Sequence, residues 1–330
     1  MGTAVKADAE SAAATPSLEP ALARRRPRPS RRGPGRRTLP YTLIAPAAIV
    51  IFGVLAYPLG MLAWISFQHY GLKELIAHQG DWVGLQNYTT LLADPLFLRV
   101  VLVSVVFTLV NVGLTLLFST LIALLMSKVS RVIRVLLASG LIFVWATPVI
   151  VAVDIWQWMF DYEFGVVNYL LTQMRVFGSL IHHNWFENTV QGFSVITVIV
   201  VWGAIPFVAI TLYAALSQVP DDVLEAAEVD GANPWQVFWG VTAPMLKPIF
   251  LIVTSLSTIW DFQVFNQIYV LLNQRPSSNF FTIAIYSYRE SFGVTQYGLG
   301  AAIAVVMVLV LIAVTYFYVR QTLQTVDLAT

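Results

Sequence analysis

Three side chains near residue 260 have the types and the spacing to handle a ligand. Ser257, Trp260 and Asp261 stand at i, i+3 and i+4, so on a helix they share one face. An indole beside a carboxylate suits a polyhydroxylated ligand, whose apolar face packs on the ring while its hydroxyls donate to the carboxylate. Gln263, Asn266 and Gln267 form a second polar group on a roughly opposed face. The ordinary use of such amides is hydrogen bonding between helices. Gly203 and Phe207 lie four residues apart with Pro206 between them, a spacing that serves a groove beside an aromatic platform or close packing of helices. Asp154, Asn111 and Gln157 are further polar groups in apolar surroundings, read as lining or interhelical bonds.

No catalytic constellation accompanies these residues. The chain has no G-x-x-x-x-G-K-[ST] phosphate loop, no H-E-x-x-H and no G-x-S-x-G, so ATP binding and hydrolysis are not expected on it. The four histidines, His69, His78, His182 and His183, fall in or beside connecting segments. Adjacent histidines such as His182 and His183 point in different directions, which argues for a solvated loop rather than a metal site. The chain lacks cysteine, which excludes disulfide scaffolds, iron–sulfur clusters and thiolate metal centres.

The elements that must position these residues are membrane spans. Apolar residues make up 58% of the chain and charged ones 11%, with a mean hydropathy of +0.73; soluble domains carry roughly a quarter charged residues. The expected fold is all-α and polytopic, with six apolar runs at about 42–67, 98–126, 135–159, 190–216, 248–272 and 297–319. Each is near the roughly 20 residues a bilayer crossing needs. Pro46 and Pro58 in the first are tolerated where neighbouring helices satisfy the freed carbonyls. Residues 1–38, rich in Ala, Pro and Arg, read as a disordered, basic, lipid-facing tail, with no fold to support nucleic-acid binding. No cleaved signal peptide is expected, because the following apolar run is too long.

Orientation follows from the basic residues. The tail and the short loop with Lys128, Arg131 and Arg134 place the N-terminus and that loop in the cytoplasm, and six spans return the C-terminus, residues 326–330, to the same side. The remaining basic residues are balanced across the two sides. Tyr57, Trp64, Trp156, Trp158, Trp185 and Tyr297 fit an interfacial aromatic belt. The segments 82–88, 161–171 and 273–296 are expected as outer loops.

One polar stretch, 217–248, interrupts the apolar pattern on the cytoplasmic side. Pro220 with Asp221 and Asp222 makes a helix start, since carboxylates suit the positive end of the helix dipole. Gly231 stops that helix. Asn233-Pro234 begins a second one with Trp235 and Phe238 on one side, closed by Pro244 and Pro248. The product is an elbow on the membrane surface, shaped to be gripped by a partner.

That elbow carries a family resemblance. Glu225-Ala226-Ala227-x-x-Asp230-Gly231-Ala232, followed by Phe238 and Pro244, resembles the EAA loop of ATP-binding-cassette importer permeases. The runs Trp82-Val-Gly-Leu-Gln-Asn-Tyr88 and Trp260-Asp-Phe-Gln-Val-Phe-Asn-Gln-Ile-Tyr269 are similar to the carbohydrate branch, and the chain is most similar to the maltose-permease first-subunit type. The likeness covers residues 40–325 or so, a single six-span permease domain over 39–325. It implies an inner-membrane permease subunit that imports a sugar or oligosaccharide by alternating access. Its elbow would dock on a separate ATPase through Glu225, Ala226, Ala227, Asp230, Gly231, Phe238 and Pro244. Glu225 would pair with a basic residue, and Phe238 and Trp235 would anchor the second helix to the bundle. Ala243 departs from the family's usual leucine before the closing proline. The substrate chamber would be lined by Gly203, Ala204, Phe207, Ser257, Trp260 and Asp261. The implied partners are a second homologous permease, two ATP-binding subunits holding ATP and magnesium, and an extracellular solute-binding protein; no cofactor is expected on this chain.

The alternatives are a permease for another solute (polyol, glycerol phosphate or amino acid), a secondary transporter, and a membrane-embedded enzyme. A phosphate ester would call for an Arg or Lys at mid-membrane, and the expected spans have none in their centres. A secondary transporter would need an internal repeat with ion-coordinating groups.

Overall fold

The computed structural model describes residues 35–175 and 178–327. The reading of 1–38 as a tail therefore falls mostly outside the described residues; the chain is already helical at Gly35. By packing, the chain divides into one unit through Ala56 and another from Tyr57 onward. The first contains helix α1 (Gly35–Ile51), continued by a π turn over Phe52–Ala56.

The second unit opens with α2 (Tyr57–Ile65), a two-residue strand β1 (Gln68–His69), α3 (Leu72–Ala77), strand β2 (Asp81–Trp82) and α4 (Gln86–Ala93). The long helices follow: α5 (Pro95–Lys128), α6 (Arg131–Ala146), α7 (Val149–Met159), α8 (Val166–Gln173) and α9 (Thr189–Leu216). Then come α10 (Asp221–Val229), α11 (Pro234–Val237), α12 (Ala243–Phe262), α13 (Asn266–Leu271), α14 (Ile283–Tyr288) and α15 (Tyr297–Asp327).

Among the described residues, five stretches are long and apolar enough to cross a membrane: Tyr41–Ile65, Pro95–Lys128, Thr189–Leu216, Pro234–Phe262 and Tyr297–Gln324. The expected third span, 135–159, is not one helix. It is the pair α6 and α7, bent by 98° at Thr147-Pro148. A residue before proline is pushed out of the helical region, and Thr147 sits at φ −69°, ψ 124°. The expected fifth span is displaced as well. It begins at Pro234 and ends at Phe262, so the run 248–272 misplaces both ends.

Prolines explain the second error. Pro244 and Pro248 were expected to close the elbow's second helix, yet both lie within the helical stretch that becomes the span. A five-residue π turn, Phe238–Thr242, precedes them, with the Ala243 amide bonded to the Phe238 carbonyl. The wider turn makes room for a ring that would clash with a carbonyl one α-turn back.

In a bilayer the helix faces cannot be sorted by greasiness, because lipid is as apolar as leucine. Helix α5 shows what sorts them instead. Its buried residues include Ser104, Thr108, Asn111, Thr115, Ser119 and Ala123, spaced three or four apart along one side. That side packs on α9 and α12, with the Ser119 hydroxyl donating to the Ile205 carbonyl at 3.3 Å. The segment 273–296 is not an exposed loop. Phe280, Phe281, Ile283, Ile285 and Tyr286 are buried in the main core cluster, and the Ile283 amide donates to the Ser104 hydroxyl at 2.8 Å.

The Trp82–Tyr88 run joins α2, the β1–β2 hairpin and α4. The Asn87 amide donates to the carbonyls of Ser66 and Gln68 at 2.8 and 2.9 Å. Trp82 packs against Trp64 and Phe67, with ring centroids 5.0 and 5.6 Å apart.

Candidate functional site

The elbow is built as its residues dictate. Pro220 is the N-cap of α10, and Asp221 and Asp222 occupy its first turn. The helix ends in a paired-bond turn: the Gly231 amide donates to the Glu228 carbonyl and the Ala232 amide to the Ala227 carbonyl, both at 3.0 Å. Gly231 has φ +86°, a conformation that costs a residue bearing Cβ. Asn233 then caps α11, accepting from the Trp235 and Gln236 amides, while its own amide donates to Gln236 Oε1 at 2.8 Å.

Leu224 turns inward, packing against the cluster of Ala215, Val219 and Leu246. Glu225, Ala226, Glu228 and Asp230 are exposed, and Ala227 is half-buried. Val229 is 87% exposed, an apolar side chain on the same short helix that the sequence reading passed over. The anchoring of α11 differs from expectation. Trp235 is 71% exposed rather than an anchor, Phe238 is half-buried against Trp239, and Val237 is the buried residue of that turn.

At the other end of the same helical stretch lies a cavity of about 440 Å³, within the range of roughly 300–1,000 Å³ usual for small-molecule sites. Gly203, Ala204 and Phe207 of α9 line it together with Trp260 and Asp261 of α12. The rings of Phe207 and Trp260 meet edge to face, centroids 5.2 Å apart. Asp261 is 4% exposed and its Oδ2 has no hydrogen-bond partner. Five of the six residues proposed for the chamber therefore come together.

Ser257 does not join them. It is buried one turn back along α12, outside the lining, with its hydroxyl unpartnered. The second amide group is also dispersed, because α12 ends at Phe262. Gln263 bonds the Ile259 carbonyl of its own helix, Asn266 is exposed, and Gln267 lines the cavity. The Gln263 bond stays within its own helix rather than joining two helices, as interhelical use would require. Gln157 does bond across, to Asn273 Oδ1 at 2.9 Å, while Asp154 is exposed on α7.

The sequence reading missed the wall made by the break in the third span. Val144, Trp145, Thr147 and Val149 all line the cavity, as does Trp202. The Thr147-Pro148 pair was the available signal. The lining contains three indoles, one carboxyl and one carboxamide, and no lysine or arginine. Such a surface packs and hydrogen-bonds a neutral hydroxylated solute and offers an anion no counter-charge. His183, by contrast, is engaged with Gln191 and Trp185, and no group of three or more potential metal ligands occurs among the described residues.

Residues 115–324, which hold the elbow and all of the cavity lining, match the family described as binding-protein-dependent transport system inner membrane component. The chain belongs to this family. As a member it is a multi-pass inner-membrane protein and a permease component rather than an enzyme. It is 40% identical over 285 residues to the diacetylchitobiose uptake system permease protein DasB of Streptomyces coelicolor, covering 86% of this chain and 87% of that one. It is 31% identical to the sulfoquinovosyl glycerol transport system permease protein SmoG of Agrobacterium fabrum, covering 87% and 91%. The trehalose/maltose permease MalF of Thermococcus litoralis is 29% identical, covering 86% and 92%. Among solved structures, a chain of a bacterial ABC transporter involved in import of the acidic polysaccharide alginate superposes with a TM-score of 0.70 at 20% identity, covering 88% of this permease and 96% of that chain. This last likeness establishes the permease fold.

Proposed function

We propose that this permease carries a neutral sugar or oligosaccharide into the cell as one subunit of an ATP-driven importer. The observation that supports it most is mechanical. The helical stretch Pro234–Phe262, 29 residues long, has the elbow at one end and Trp260 and Asp261 at the other. At 1.5 Å per residue that is a lever of about 40 Å, enough to span a bilayer. A force on the elbow reaches the cavity along one helix.

In this reading Glu225, Ala226, Ala227, Asp230 and Gly231 present the gripped surface, and Val229 adds an apolar contact. Phe238 and the Pro244 turn transmit the motion into the span. The ATPase is a separate pair of subunits, which hold ATP and magnesium. A solute-binding protein delivers the sugar from outside, and a second homologous permease completes the passage. Both termini and the elbow lie in the cytoplasm. Within the cavity the Trp260 and Phe207 rings pack on the apolar face of the sugar, and Asp261 and Gln267 take its hydroxyls. The relatives named for diacetylchitobiose and trehalose/maltose support a neutral saccharide as cargo, as does the absence of a cation from the lining.

The test is uptake of labelled saccharides by the complete transporter with Trp260→Ala. Loss of a good part of the ring packing should lower uptake about tenfold, since aromatic contacts contribute roughly 0.5–1.5 kcal/mol beyond burial. Unchanged uptake would place the sugar elsewhere. Transport by this chain purified alone, without ATP, would overturn the reading altogether.

A further inference from the structure

A second and larger hollow lies at the elbow end of the bundle, with a volume of about 1590 Å³. One wall is a leucine stripe on α5, Leu116, Leu117, Leu121 and Leu124, faced by Phe250 of α12. Three basic residues line the same hollow: Lys128 in the last turn of α5, Arg134 in α6 and Lys247 in α12. None of them is ion-paired; the ion pair among the described residues is Arg289 with Glu290. Arg134 is nonetheless held in place, donating to the Met126 and Val129 carbonyls and lying over the Tyr213 ring. The indoles of Trp235 and Trp239 stand at the rim in edge-to-face contact, 71% and 57% exposed.

We infer that this groove is a binding site for an anionic phospholipid. An apolar trough joined to unpaired cations, with indoles at the boundary, matches a molecule that is itself acyl chain, glycerol and anionic headgroup in that order. The leucine wall offers a sugar no hydrogen bonds. The two carboxylates of the lining, Asp221 and Glu228, both belong to α10, so they border the elbow and leave Lys128 of α5 and Lys247 of α12 for a phosphate, beside the fixed positive charge of Arg134. Because the groove also touches Leu224, Trp235 and Phe238, a lipid seated there contacts both halves of the elbow. The leaflet's charge then biases the elbow's position and with it the coupling of ATP hydrolysis to transport. This goes beyond the transport reading and does not depend on the cargo being a sugar.

The experiment uses the complete transporter, exchanged into phosphatidylcholine alone or mixed with phosphatidylglycerol, and native mass spectrometry of the bound lipid. The wild type should retain phosphatidylglycerol in preference to phosphatidylcholine, and added soluble glycerol phosphate should not displace it, which separates a lipid from a free phosphate ligand. The double variant Lys128→Gln/Lys247→Gln should bind it about thirtyfold more weakly, from two cations near a headgroup. Should that variant fail to assemble, Leu117→Trp fills the trough without touching the charges and should likewise expel the lipid. Equal retention of both lipids overturns the inference. So does equal retention by wild type and the assembled variants, displacement by glycerol phosphate, or a wild type that retains no lipid because a neighbouring subunit fills the groove.

Discussion

Replacing Asp261 by asparagine should make the permease more stable and the transporter slower. Asp261 is 4% exposed, and Oδ2 has no donor within reach. A buried polar atom without a partner costs about 1–3 kcal/mol, and a carboxylate sits at the upper end of that range. Asparagine keeps the shape and removes the charge but leaves a buried amide without a partner, so the resting chain should recover only part of that cost, about 1 kcal/mol. At roughly 2 °C per kcal/mol for a chain of this size, the melting temperature in detergent should rise by about 2 °C. The same change removes a charged acceptor for a ligand hydroxyl. Hydrogen bonds to charged groups contribute about 1.5–3 kcal/mol, so uptake at low solute concentration should fall roughly tenfold to a hundredfold. Both are read on one preparation, by thermal unfolding and by uptake into vesicles. A variant that transports normally and melts no higher than the wild type would refute the argument, because an unpaired group at this position would then neither strain the fold nor meet the cargo.

Three further outcomes are expected. Glu225→Lys reverses an exposed charge on α10 while leaving the inward Leu224 anchor in place, so the chain should insert and assemble normally yet fail to couple ATPase activity to uptake; coupled transport by this variant would remove Glu225 from its role. Asn87→Ala deletes the two bonds to the Ser66 and Gln68 carbonyls, which should cost about 2 kcal/mol and speed amide exchange in the β1–β2 hairpin, with little change elsewhere. Gly298→Ala would set a Cβ 2.2 Å from the Gln68 carbonyl oxygen. That atom belongs to the backbone and cannot swing aside, so overpacking of about 1–3 kcal/mol should lower the melting temperature.

Much of the chain was legible in its composition. Long apolar runs have one stable fate in a bilayer, since only a helix satisfies its own backbone there, and four of the six expected spans agree with the observed helices closely. The elbow was legible because its signals are local. Pro220, Gly231 and Asn233 act on the backbone within a turn of themselves, and each performs the expected capping task.

What failed were features in which local signals compete with context. Pro244 and Pro248 read as terminators, but the π turn at Phe238–Thr242 carries the helix past them. The run 135–159 read as one continuous span, yet Pro148 within it turns the chain by 98° and so supplies a cavity wall. Segment 273–296 looked like a loop and packs into the core through Ile283, Ile285 and Tyr286.

Sequence alone determined that the chain is a helical membrane protein with a helix–turn–helix elbow, because length, apolarity and capping chemistry are carried by neighbouring residues. It placed Trp260 and Asp261 on one helix face by spacing. Tertiary structure alone decided that they meet Gly203, Ala204 and Phe207, that Trp145, Trp202 and Gln267 join them, and that Ser257 is left one turn behind. The physical reason is that lipid and protein interior are equally apolar, so a span's sequence does not fix its rotation; only the packing of α5, α9 and α12 against one another does.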